Sequence, residues 1–188
     1  LERFGVSAAV IEDKTVPSRI AGSSDSTDSR LAEINEFCAK IEAGKKSRIT
    51  DDFMVIAKLE SLVLGRGEDD AMERGVAYLE AGADGILIHS RASERKHIGS
   101  FCRRLKTTAS KITLAAMPTS YNSLHESLLH EMGINIIIHA NHLIRSAYPS
   151  MVNTAKMILR YGRSGEAAQM MVSAGDILSV IPDGDWQE

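Results

Sequence analysis

Five short runs rich in β-branched residues recur along the chain, and an amphipathic stretch follows each one. The runs are "VSAAVIE" (6–12), "FMVIAKLES" (53–61), "DGILIHS" (84–90), "KITLAAMP" (111–118) and "INIIIHAN" (134–141). Each is almost continuously apolar, as strands buried on both faces of a parallel sheet are. Between them, "RLAEINEFCAKIEAGKK" places Leu31, Ile34, Phe37, Cys38 and Ile41 on one helical face. Further helices are expected over "EDDAMERGVAYLEAGA", "ERKHIGSFCRRLK" and "SLHESLLHEMG", and a long one over 142–160. Gly82 and Gly133 stand where helices should stop. Repeated β-α units predict either a (β/α)8 barrel or an open doubly wound sheet. No Gly-rich fingerprint follows the first run, which disfavours the dinucleotide-binding version of the open sheet. Five units are fewer than a barrel's eight, and the chain opens on Leu1 rather than Met. The expectation is the last five βα units of a barrel, over 1–160. A C-terminal helical extension over 161–188 should add two short helices.

Composition narrows the function classes. The formal net charge is −3 and there is no basic stripe, so no nucleic-acid partner is expected. No apolar run approaches the roughly 18 residues that span a bilayer, and no membrane association is expected. Cys38 and Cys102 sit inside helical patterns and outside any CxxC pair, which reads as buried free thiols in a reducing cytoplasm.

In either architecture the chemistry is done beyond the C-terminal ends of the strands. Those ends carry Glu12-Asp13-Lys14, Lys58 with Glu60, His89-Ser90, Thr119 and Asn141-His142, whereas the opposite ends carry turn residues. Singly, each has a plainer explanation: a structural acid paired with a lysine, a satisfied core histidine, a turn threonine. Their gathering at one end of the strands is what the plainer explanations do not supply. After Lys14 comes "TVPSRIAGSSDST", which has neither helical nor strand period and reads as a loop leaving the catalytic end.

Several blocks resemble the phosphoenolpyruvate mutase branch of the isocitrate lyase superfamily. They are "VSAAVIEDK", "DDFMVIAKLES", "ERGVAYLEAGADGILIHS", "AAMPTSY" and "GINIIIHANHLIRSAYPSM", in family order. The resemblance implies a (β/α)8 TIM barrel whose last helix is swapped between subunits of a homodimer or homotetramer. It implies Mg2+ as cofactor and phosphoenolpyruvate, phosphonopyruvate or another 2-oxo acid as substrate. Carried over by position, Glu12 matches an acid that reaches Mg2+ through water, and His89 a histidine on the phosphoryl group. Lys58 stands where the family has arginine, which keeps the charge and loses the bidentate fork. Lys14 opens the stretch that matches a gating loop, with Ser18 and Arg19 in it; Thr119 is a further candidate for substrate contact. Where the mutase signature has lysine and then Asn-Ser, this chain has Ser18, and Ile20 with Ala21. The lyase branch's Cys-Gly-His loop is absent as well. The implied activity is a mutase-like isomerase of phosphonate biosynthesis. Phosphonopyruvate hydrolysis or a related 2-oxo-acid cleavage is the alternative within enzymes, and an inactive barrel fragment kept for assembly is the alternative outside them.

Overall fold

The computed structural model describes residues 1–15, 30–90 and 95–181. Two compact units divide at Ala140 and Asn141. The first holds five parallel strands in sequence order: β1 (Ala8–Glu12), β2 (Met54–Leu59), β3 (Gly85–Ile88), β4 (Thr113–Ala116) and β5 (Ile136–Ile137). Helices α1 (Ile34–Lys46), α2 (Glu68–Glu80), α3 (Arg95–Thr108) and α4 (Glu126–Glu131) follow the first four strands. Among the described residues β1 pairs only with β2 and β5 only with β4, so the sheet has two unclosed edges. The order follows the sequence with no reversal, which is the arrangement of a partial barrel and not of the doubly wound sheet, the other architecture that the β-α repeat allows.

Successive strand side chains point to opposite faces, and the core divides accordingly. Ala57, Leu59, Ile86, Ile88, Leu114 and Ala116 join Phe37, Ile41, Tyr78, Phe101 and Leu105 in the layer between sheet and helices. Each fully buried Leu, Ile or Phe side chain contributes about 1.5–3 kcal/mol. The other face carries a smaller cluster of Ile56, Leu87, Ala115 and Met117, flanked by Ala8, Met54, Ile136 and Ile138. Continuing that alternation past the apolar residues brings Glu12, Lys58 and His89 onto this second face. In the register Glu12 lies opposite Lys58, and Lys58 opposite Leu87.

Two expected elements differ. Leu31 lies in an isolated antiparallel bridge with Lys14, and α1 begins only at Ile34. The amides of Thr15 and Ala32 donate to the carbonyls of Arg30 and Asp13, each at 2.9 Å, so residues 30–32 are spent on strand-like pairing rather than on a helical turn. The fifth strand is two residues long rather than eight: Ile136 and Ile137 lie in register with Ala115 and Ala116, and the pairing with β4 ends at the Asn135 and Ile138 amides, which donate to the Leu114 and Ala116 carbonyls at 2.8 and 2.9 Å.

The second unit contains α5 (His142–Tyr161), a 3-10 turn over Gly165–Met170 and α6 (Ala174–Ser179). Gly162, at φ +64°, ends α5 with its amide on the Ile158 carbonyl at 2.8 Å. Ser173 and Asp176 form a capping box on α6. Helix α5 buries none of its residues: Leu143, Ile144, Tyr148, Met151 and Leu159 are all exposed. Among the described residues no helix is long and apolar enough to cross a membrane.

Candidate active site

The site grows out of the junction between β1 and β2. Asp13, the residue after β1, brackets the end of β2. Its amide donates to the Lys58 carbonyl at 3.1 Å, and its Oδ1 accepts the Glu60 amide at 2.9 Å. Lys58 and Glu60 are thereby held on either side of Leu59 and reach toward the same place. Lys58 Nζ meets Glu12 Oε1 at 2.5 Å and Glu60 Oε1 at 2.7 Å. Lys14 Nζ takes the other oxygen, Glu60 Oε2, at 3.2 Å, and His89 Nδ1 stands 3.6 Å from Glu60 Oε1. Glu60 is thus the hub of a buried cluster of two lysines and a histidine. Its side chain is 1% exposed and that of Glu12 is 23% exposed, so Glu12 is the member open to solvent.

Electrostatics follow from this packing. Burial alone would raise the Glu60 carboxyl; the nearby His89 and Lys58 outweigh it and bring it down to about 2. Burial works against the Lys58 ammonium too, but Glu12 and Glu60 hold its pKa above the ordinary lysine value. Asp13 is different. Burial dominates there and pushes its carboxyl up to about 6, against the pull of the Glu60 amide, Tyr78 and Arg74. Three buried polar atoms here and at the next strand end have no hydrogen-bond partner among the described residues: His89 Nε2, Ser61 Oγ and Thr119 Oγ1. Buried polar groups are nearly always paired, so these are atoms that a ligand could satisfy.

Of the residues singled out in the sequence, Glu12, Lys14, Lys58 and His89 come together. No ion pair or hydrogen bond joins Thr119 to them among the described residues; its amide turns back to the Met117 carbonyl at 2.8 Å. Ser18 and Arg19 lie outside the described residues, as does the loop expected over 16–27 beyond Thr15. Cys102 is buried with its thiol pushed up to about 12 by desolvation, whereas Cys38 is only half-buried and donates to the Ala77 carbonyl at 3.6 Å. Glu60 was visible at a strand end, but its role was not; the signal is its i+2 spacing from Lys58, which returns it to the same side. Arg74 and Tyr78 were missed. They are polar residues on the buried face of α2, four apart.

A divalent cation tests the donor set. Among the described residues no three His, Cys, Asp or Glu side chains surround a common point. The half-open Glu12 carboxylate suits contact through one of the ion's waters, because Mg2+ keeps several waters when bound.

A parallel β/α half-barrel with ionisable side chains converging at the C-terminal strand ends defines the class of barrel proteins whose chemistry sits on that face. The phosphoenolpyruvate phosphomutase family model matches residues 1–159, and the chain belongs to that family, within the phosphoenolpyruvate mutase/isocitrate lyase superfamily. It is 38% identical over 185 residues to the phosphonopyruvate hydrolase of Variovorax sp. (strain Pal2), covering 97% of the chain and 62% of that protein. It is 35% identical over 158 residues to the phosphoenolpyruvate phosphomutase of Tetrahymena pyriformis, covering 84% and 51%. The crystal structure of phosphoenolpyruvate phosphomutase from Streptomyces platensis subsp. rosaceus superposes with a TM-score of 0.85 at 31% identity, over 95% of the chain and 60% of its own. A phosphonopyruvate hydrolase complex with oxalate and Mg2+ gives 0.81 at 37% identity, over 95% and 59%. The chain therefore spans about half to two thirds of the length of the relatives it matches.

Proposed function

We propose that the protein carrying this chain is a Mg2+-dependent isomerase that interconverts phosphoenolpyruvate and phosphonopyruvate. The observation that carries this reading is the buried Lys14–Glu60–Lys58–His89 cluster, with His89 Nε2 and Ser61 Oγ left unpaired beside it. The reaction breaks the bond between the enol oxygen and phosphorus and forms one between phosphorus and carbon 3. The phosphoryl group in transit carries its charge on three oxygens, so positioned cations and hydrogen-bond donors are the main demand on the protein. Lys58, Lys14 and His89 supply them, and Glu60 holds all three in place before substrate arrives. Mg2+, when bound, would supply charge that stabilises the pyruvate enolate, and Glu12 would hold it through a water. Thr119, Ser18 and Arg19 are proposed as further substrate contacts.

Hydrolysis of phosphonopyruvate is the second reading, in which water rather than the enolate takes the phosphoryl group. Ser18, Ile20 and Ala21, standing where the mutase loop has lysine and Asn-Ser, favour it. Water exclusion is what separates transfer from hydrolysis. Assembly into a homodimer or homotetramer through the exposed face of α5 and the helices after it belongs to the same proposal, as does a cytoplasmic setting for the free thiols.

The test is turnover of phosphonopyruvate and phosphoenolpyruvate by the intact protein, with and without Mg2+. Isomer formation supports the first reading and release of pyruvate with phosphate the second. Absence of turnover with both substrates would leave only the role in assembly.

A further inference from the structure

Helix α2 presents to the buried side two polar groups that the ion cluster does not itself contain. Tyr78 is 0% exposed and packs its ring on Phe37, with centroids 4.7 Å apart. Its hydroxyl donates to Asp13 Oδ2 at 3.1 Å and accepts from Arg74 Nη1 at 3.0 Å. The same Arg74 nitrogen donates to the Ala32 carbonyl at 2.8 Å and lies 3.7 Å from Asp13 Oδ2, while Nε is held by Asp70 at 3.1 Å. Asp13 is at the centre, with every oxygen used. Oδ1 takes the Glu60 amide, Oδ2 takes Tyr78, and its carbonyl takes the Ala32 amide. One buried arginine–tyrosine pair therefore fixes two things together. One is the end of β2 that presents Lys58 and Glu60. The other is the antiparallel pairing of residues 13–15 with 30–32, which carries Lys14.

We propose that Arg74 and Tyr78 are positioning residues for the reaction assigned above: acting through Asp13, they set the relative placement of Lys14, Lys58 and Glu60. The inference rests on that reading for its kinetic consequence only. Both partners of a buried hydrogen bond can be replaced together by apolar groups of the same shape at little loss, so stability alone does not call for a polar pair here. The two residues instead form an unbroken chain of hydrogen bonds from a helix to the backbone on both sides of the cationic cluster. A displacement of an ångström in a group that holds a transferring phosphoryl is enough to slow the reaction strongly.

Tyr78→Phe removes one oxygen and keeps the ring on Phe37. Phe37→Leu loosens the same contact without touching the hydrogen bonds, and serves as the control for lost stability. In the intact protein with Mg2+ and phosphonopyruvate, Tyr78→Phe should lower kcat about tenfold and move KM less than about threefold, whereas Phe37→Leu should stay within about twofold in kcat. Arg74→Lys keeps the charge but not the planar fork that reaches Ala32 and Tyr78 together, and should behave like Tyr78→Phe. A kcat in Tyr78→Phe and Arg74→Lys no lower than in Phe37→Leu overturns the proposal. A second readout does not depend on turnover. Lys14 is 5% exposed and paired with Glu60, so its acylation by acetic anhydride, followed by mass spectrometry, should be slow in the unmodified protein. It should be at least about fivefold faster in Tyr78→Phe and unchanged in Phe37→Leu, as expected when a placed group is released. A protein inert to both substrates defeats the functional reading alone; an unchanged Lys14 rate in Tyr78→Phe then defeats the positioning role.

Discussion

Taking Lys58 out from between Glu12 and Glu60 leaves Glu12 without its lysine and Glu60 with only Lys14 and His89. Lys58→Met should therefore destabilise the fold by about 3 kcal/mol, since removing one partner of a buried ion pair strands the other charge. Urea unfolding with an unchanged m-value would read this directly. Lys58→Arg should instead keep the fold and raise turnover or lower the phosphonopyruvate KM, because the guanidinium fork grips phosphoryl oxygens that an ammonium meets as a point charge. Unchanged kinetics would mean that Lys58 does not touch the phosphoryl group. Glu60 gives a pH prediction. Its carboxyl falls from 4.5 to about 2 on folding, so its contribution is present above pH 4.5 and is lost as pH falls from there toward 2. Asp13 runs the other way, from 3.8 to about 6, and its contribution is lost as pH rises through that window. Comparing Glu60→Gln with the unmodified protein removes the part of the Asp13 effect that comes from burial, the largest cause, and leaves the smaller part that comes from the Glu60 charge. The stability gap, at most about 3 kcal/mol near neutrality, should close as pH falls below 4.5. A gap independent of pH would show that Glu60 does not act through its charge.

At the scale of elements, β3 meets β4 at Gly85, which lies opposite Thr113. A Cβ built there would come within 2.7 Å of the Thr113 carbonyl oxygen and 3.2 Å of its Cβ. Both are fixed by the sheet, so neither can give way. Gly85→Ala should destabilise by about 1–3 kcal/mol, measured by thermal or urea unfolding, and an unaltered midpoint would mean that the strands can separate there. Strand positions were readable in the sequence because strands buried on both faces are continuously apolar, and helix ends at Gly82 and Gly133 because both sit at positive φ. What misled was long-range pairing. Leu31 fits the i, i+3 pattern of α1 with Ile34, yet residues 13–15 claim its neighbours' backbone groups, and no local pattern records that. The same holds for the site. Strand parity brought out Glu12, Lys58 and His89, but the linkage of Asp13 to Arg74 and Tyr78 spans more than 60 residues and depends on how α2 packs.

The molecule as a whole carries surface that the chain does not cover by itself. Both edges of the five-stranded sheet are open among the described residues, and in the second unit α5 exposes Leu143 at 85% and Leu159 at 84%. Apolar faces of this kind mark interaction surfaces. On the proposed assembly through α5, Leu143→Glu combined with Leu159→Glu should lower the sedimentation coefficient, and an unchanged coefficient would contradict that part of the proposal. The number of strands was evident from the sequence; the partner of α5 was not, because an amphipathic face does not name what it packs on. The central claim is that the cluster around Glu60 acts on a phosphoryl group at pyruvate carbon 3. Phosphorus NMR of the intact protein with phosphonopyruvate tests it most directly. With Mg2+ the carbon-bonded phosphorus signal should disappear as a phosphate-ester signal grows, or an inorganic phosphate signal if water is the acceptor, and Lys58→Met should abolish the change. A phosphonopyruvate signal that persists unchanged with Mg2+ present would contradict the account.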